Sequence, residues 1–140
     1  MPNDYQRAGP VFERFIEEAR DALDLTTRNQ TYTVVEGVFR TFRRRLSVEE
    51  GLRFADTLPA VLRALFVGEW DISVPPVAYA ERKVLDEEVA GLRRHHNFAP
   101  HGSIRAVARA LRRFVDEKRF DQCLATLGEE ACAFWSVEAD

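Results

Sequence analysis

Residues Thr33–Trp70 read TVVEGVFRTFRRRLSVEEGLRFADTLPAVLRALFVGEW, and the apolar spacing is helical from end to end. Val35, Val38, Phe39, Phe42 and Leu46 recur at the three- and four-residue steps that line one side of a helix. Arg40, Arg43 and Arg44 fall on the opposite side, and Glu36 sits one turn before Arg40 as a favourable pair. This helix is expected to end near Leu46. Ser47 with Glu50 three residues on is a capping box, which starts a second helix toward Thr57 that buries Leu52, Phe54 and Ala55. Leu58-Pro59 breaks it, because proline disfavours α geometry in the residue before it. Pro59 suits the first position of a third helix with Val61, Leu62, Leu65 and Phe66 inward.

Shifting the chain by 69 positions returns the pattern without a gap. Val35, Val38, Phe42 and Leu46 fall on Ile104, Val107, Leu111 and Val115, and Arg40, Arg43 and Arg44 fall on Arg109, Arg112 and Arg113. Ser47 becomes Asp116, another good N-cap, and Pro59 becomes Gly128, a different breaker at the same corner. A further helix precedes each unit, carrying Phe12, Phe15, Ile16, Ala19 and Leu23 in one case and Val84, Leu85, Val89 and Leu92 in the other. The reading is an all-α bundle of roughly eight helices, built from two tandem pseudo-repeats that share one core. The repeats span about residues 10–70 and 78–136, and 71–77 is the linker.

The whole chain, residues 1–140, then forms a single domain. A chain of this size can bury roughly two-thirds of its extended surface, whereas either half alone would be marginal. Met1 to Gly9 should fray, Pro10 should open a helix to about Asp24, and Thr26 to Gln30 connects it to the long helix. The linker DISVPPV excludes helix at Pro75-Pro76, Ala78 to Arg94 is helical, and HHNFAPHG over 95–102 is a loop. Ser103 should cap the second long helix. The net charge of −3 gives no attraction to nucleic acid or anionic membrane, and no apolar run approaches the ~20 residues of a membrane span. The first ten residues carry no apolar signal core, so a cytoplasmic protein is expected. Cys123 and Cys132, nine apart across a helix break, read as reduced thiols rather than a redox pair or zinc ligands.

Arg28-Asn29-x-x-Tyr32, Arg43, Leu46, the Leu58-Pro59 corner, Gly68-x-Trp70-Asp71 and Pro75-Pro76 together resemble the DUF2267 family, small bacterial helical proteins. The resemblance spans nearly the whole chain and implies a helical fold. It implies no activity, because that family is named for having none assigned. The family tends to write its corner Gln-Leu-Pro in both halves; here it is Thr-Leu-Pro and then Thr-Leu-Gly, so the second half is the more drifted copy.

No standard catalytic signature occurs: there is no nucleophile elbow, phosphate loop, dinucleotide fingerprint or His-Glu-x-x-His. No enzyme class, cofactor or metal follows. His95, His96 and His101 share a loop, and imidazole is a common metal ligand, but adjacent histidines on a helix end diverge. The Arg105, Arg109, Arg112 and Arg113 stripe could meet an anion; the plainer reading is a solvated face partnered by Asp116 and Glu117. Glu17-Glu18 and Asp86-Glu87-Glu88 read as polar surface. Tyr32 and Trp70 could line a ligand pocket between the halves, although aromatics at helix ends are more often core. Phe114 and Phe120 stand where the first half has Arg45 and Gly51, and if exposed they would mark an interface. The leading expectation is a non-enzymatic interaction or scaffold module with a protein partner or a second copy. The alternatives are a small-molecule binder and a weak nucleic-acid or anion binder.

Overall fold

A computed structural model describes residues 1–92 and 102–138. The described residues form nine α-helices and no strand: α1 (Asn3–Gln6), α2 (Ala8–Leu23), α3 (Arg28–Arg43), α4 (Val48–Ala55), α5 (Ala60–Val67), α6 (Arg82–Gly91), α7 (Ser103–Arg112), α8 (Glu117–Leu127) and α9 (Glu129–Phe134). None is long and apolar enough to cross a membrane. His95, His96 and His101 lie outside the described residues.

The helix starts follow local chemistry. Ser47 accepts from the Glu50 N–H while the Glu50 carboxylate reaches back to the Ser47 N–H, as the spacing predicts. The same box, with Thr27 and Gln30, opens α3 inside what reads from the sequence as a connector. Asp116 caps α8 through the Arg119 N–H. Asn3–Gln6 forms a turn of helix where fraying is expected, and Pro59 stands at the cap of α5 rather than inside its first turn. Ser103 is the first helical residue of α7, not its cap. The cap comes from another helix: the Asp86 carboxylate on α6 accepts the Ile104 N–H at 3.1 Å. Residues 75–81 run without helix, so α6 begins four residues later than Ala78.

α4 and α8 begin 69 residues apart, as do α5 and α9, and α3 and α7 end at that same offset. The duplication is a proposal that this register supports. The packing between the halves is crossed: α2 lies against α7 and α3 against α6, while α4 meets α8. Buried residues from both halves join one cluster. Its centre is aromatic, with the Phe42 ring 4.8 Å from Phe54, 4.9 Å from Phe134 and 5.5 Å from Trp135. Phe120 is fully buried among these rings, 5.5 Å from Phe54, and Phe114 is half-buried with its ring 5.9 Å from Phe15. The two phenylalanines therefore do not form an exposed interface. They replace Arg45 and Gly51 by apolar groups facing inward, where the crossed packing offers rings to meet.

Three of the residues expected to face inward point outward instead. Leu52, Val84 and Leu92 are exposed, because α4 turns Gly51, Phe54 and Ala55 inward and α6 buries Leu85, Asp86 and Val89. Gly51 is required there: a Cβ would stand 2.3 Å from the Trp70 ring. The ionic seam between halves is Arg45, whose side chain is 5 % exposed and grips Glu88 of α6 through both terminal nitrogens at 2.5 and 3.0 Å. Arg44 touches the same carboxylate at 3.0 Å from a much more exposed position.

Phe42→Ala should lower unfolding free energy by roughly 3–5 kcal/mol, since it empties the ring cluster. Arg44→Ala should cost about 0.5 kcal/mol or less, and Arg45→Ala roughly 1.5–3 kcal/mol, because it strips a two-pronged charge-assisted contact from a partly buried carboxylate. Urea titration of the three variants checks the order. Equal costs at Arg44 and Arg45 would refute the seam. Alkaline pH supplies a further check. The Tyr79 hydroxyl is buried with no hydrogen-bond partner among the described residues, and burial, then Glu50 and Glu130, push its pKa from 10.0 up to about 12 against the pull of Arg45. The unfolded phenol therefore loses its proton first. Stability should hold below pH 10 and fall as pH rises toward 12, and Tyr79→Phe should flatten that fall.

Candidate ligand cleft

α3 carries Tyr32, Glu36 and Arg40 at successive four-residue steps, so the three side chains form one stripe. That stripe faces α2 and α5 across a cleft of about 370 Å³. Phe12 of α2 and Val61, Ala64 and Leu65 of α5 supply apolar walls, and Gly68 and Glu69 close one end. The cleft is apolar along its length and charged at its head. Glu36 is buried, while Arg40 Nη2 stands 3.6 Å from the Glu36 carboxylate and 3.3 Å from that of Glu69. Glu69 has a φ of +55°, the left-handed conformation that a glycine takes freely and a glutamate takes under strain. Its side chain is 87 % exposed and held by Arg40 alone among the contacts of the described residues.

Beneath this head lies Arg43. It reads from the sequence as solvated, yet it is buried and donates from Nη1 to the Phe66 and Gly68 carbonyls, both at 2.9 Å. Its guanidinium also stacks 5.4 Å from the Trp70 ring centre. Burial, followed by the neighbouring Arg40 charge, lowers its pKa from the usual arginine value, against the opposing pull of Glu36 and Glu69. Arg112 plays the same part in the second half, donating to the Trp135 carbonyl at 3.1 Å and lying over Phe120. Long cationic arms thus cap the last helix of each unit, with their stems packed on rings.

Tyr32 and Trp70 are not brought together. Trp70 lines a separate hollow of about 220 Å³ with Arg44, Leu46, Val74 and Pro75, and Glu69 is the residue both hollows share. Both are built from the first half and the linker, not from the seam between halves. A hollow of about 580 Å³ does span the halves, between α2 and the residues just after α7, and it is mostly charged, with Phe114 in its lining. Arg28 pairs there with Glu13 and Glu17, and Arg113 with Glu18 at 3.2 Å.

The arginine stripe of α7 does not present four cations to solvent. Arg112 is engaged by Glu117 and Asp121, each at 3.0 Å, and Arg105 donates to the Glu138 carbonyl at 3.0 Å. Arg113, on Glu18, and Arg109 are the exposed members. Burial is the largest influence on the Arg112 pKa and lowers it, but the hydrogen bonds of Asp121 and Glu117 outweigh it and the net shift is upward. Among the described residues no three His, Cys, Asp or Glu side chains converge as a metal site. Cys123 and Cys132 are free thiols; Cys123 is half-buried, which raises its pKa.

Residues 12–134 match the model of a family described as an uncharacterized conserved protein, DUF2267. The chain belongs to that family. No curated protein shows detectable similarity to it. Several residues that carry the DUF2267 resemblance lie around the cleft and beneath it: Tyr32 on the wall, Arg43 under the head, Gly68 at the closed end and Trp70 against Arg43. What sequence reasoning missed here is Glu36, Arg40 and Glu69 as one group. The signal in the sequence is the pair of four-residue steps Tyr32–Glu36–Arg40, of which the spacing alone predicts only the Glu36–Arg40 ion pair.

Glu69→Gly should raise stability by about 0.5–1 kcal/mol, since it relieves the left-handed strain and removes only an exposed ion pair. Thermal unfolding of the variant measures this. A loss of stability would mean that the Arg40 contact outweighs the strain.

Proposed function

We propose that this DUF2267 protein is a non-enzymatic binder of a small amphipathic molecule, held in the cleft between α2, α3 and α5. The observation that carries the reading is the form of the cleft: apolar walls of Phe12, Tyr32, Val61 and Leu65 with polar groups gathered at one end. That is how small-molecule sites are commonly built, and about 370 Å³ falls in their usual range. The site lies within the first half rather than between the halves. Anion binding through the α7 arginines has less support, because three of the four are engaged by the chain itself. Free cysteines fit residence in a reducing, cytoplasmic compartment.

A second reading, contact with a protein partner or a second copy, is favoured by a different observation. Ile72 and Val74 of the linker and Leu52 of α4 are all more than half exposed. Scattered apolar residues are common on surfaces, so this ranks below the cleft.

The neutral dye Nile red tests the first reading. Native protein should enhance its fluorescence and shift it to the blue, and Ala64→Trp, which fills the cleft from an exposed position on α5, should abolish both with helix content unchanged. Equal dye binding by the two proteins would place the site elsewhere. Sedimentation at high concentration addresses the second-copy form of the second reading, which requires a dimer that Ile72→Asp dissociates.

A further inference from the structure

We propose that Arg43 is the floor of a second binding site, which takes a small carboxylate into the hollow beside Trp70. The observation behind it is a difference between two otherwise matched arginines. Arg43 and Arg112 stand 69 residues apart. Arg43 donates to the Phe66 carbonyl at 2.9 Å and Arg112 to the Trp135 carbonyl at 3.1 Å, and those two acceptors are also 69 apart. Each guanidinium lies over an aromatic ring as well. For Arg112 the ring is Phe120, 5.2 Å away; for Arg43 it is Trp70, 5.4 Å away. Trp70 packs onto Gly51, the residue 69 positions before Phe120, so it brings from the linker the ring that α8 carries itself.

The carboxylates do not match. Arg112 Nη1 meets Glu117 and its Nη2 meets Asp121, each at 3.0 Å. The positions 69 residues earlier are Val48 and Leu52, both apolar and exposed. Arg43 makes no ion pair among the described residues, and both of its hydrogen bonds leave from Nη1. Its Nε and Nη2 are left without an acceptor, and those two nitrogens form the flat edge that matches both oxygens of one carboxylate. Arg43 is only 7 % exposed and lines the hollow of about 220 Å³. The other charged groups of that lining are answered within the chain: Arg44 by Glu88, Glu69 by Arg40, and Asp71 by the Ser73 N–H and hydroxyl. Glu69 and Asp71 are exposed, where water and salt weaken their repulsion of an anion. Leu46, Trp70, Val74 and Pro75 supply apolar walls. A largely desolvated donor edge favours an acceptor, and a charged acceptor over a neutral one. The ligand class is therefore a small carboxylate with a compact apolar body, such as an arenecarboxylate.

Nitrogen-edited NMR titration of the full protein with benzoate, benzamide and benzylamine tests the assignment, with the Arg43 Nε–H and Trp70 indole N–H signals as reporters. Benzoate should move both signals saturably and bind at least about tenfold more tightly than benzamide, because charge-assisted hydrogen bonds are about twice as strong as neutral ones. Benzylamine should move neither. Leu52→Asp puts a carboxylate at the position matching Asp121, and should weaken benzoate about tenfold with helix content unchanged; Leu52→Asn should leave benzoate binding as it is. Ala64→Trp, which fills the cleft between α2, α3 and α5, should also leave it intact, so this site and the cleft stand or fall separately. Benzamide binding as tightly as benzoate, an Arg43 signal that does not respond, or loss of benzoate binding in Ala64→Trp overturns the inference. So does a benzoate affinity that Leu52→Asp leaves unchanged.

Discussion

The Phe42 ring touches Phe54 of its own half and Phe134 and Trp135 of the other, and most of the structure depends on that shared burial. An amphipathic helix has no stable place until its apolar stripe is covered. Here the stripe of α3 is covered from several sides at once, and the cover includes the last helix of the second unit. Neither half could close its own aromatic centre. The crossed contacts of α2 with α7 and α3 with α6 follow from the same need, because each long helix takes the leading helix of the other half as its outer wall.

The position of α3 explains the cleft as well. A helix with neighbours on so many sides has no single polar face, so its charged residues must each find a local answer. Arg43 and Arg45 turn their heads to backbone carbonyls and to Glu88, and leave their stems in the packing. Glu36 and Arg40 lie on the flank of α3 that faces the cleft walled by α2 and α5. The cleft is thus a gap left beside a central helix, with Glu36 buried in its wall and Tyr32, Ala64 and Glu69 open at its rim.

Local signals in the sequence were legible: the Ser47–Glu50 box, the Leu58-Pro59 break, the Asp116 cap and the apolar stripe through Phe42 appear where their chemistry puts them. Nonlocal answers were not. Nothing in the residues around Ser103 says that Asp86, from another helix, supplies the cap of α7. Arginine at a polar-looking helix position reads as solvated, yet Arg43, Arg45 and Arg112 are each held by carbonyls or carboxylates of other elements. Phe120 looked like spare surface because Gly51 occupies its place in the first half; the glycine is there to admit Trp70, and the phenylalanine fills the ring cluster instead. The left-handed residue after α5 was equally hidden, since Gly68 stands beside it and Glu69 takes the conformation.

The central claim, one cooperative body built across both halves, is most directly tested by following urea unfolding with two probes. In a Trp70→Phe variant the fluorescence reports Trp135 of the second half alone, while far-ultraviolet circular dichroism reports every helix. The shared core predicts superimposable transitions with one midpoint. A fluorescence transition that separates from the loss of helix would show two bodies unfolding independently and would contradict the account.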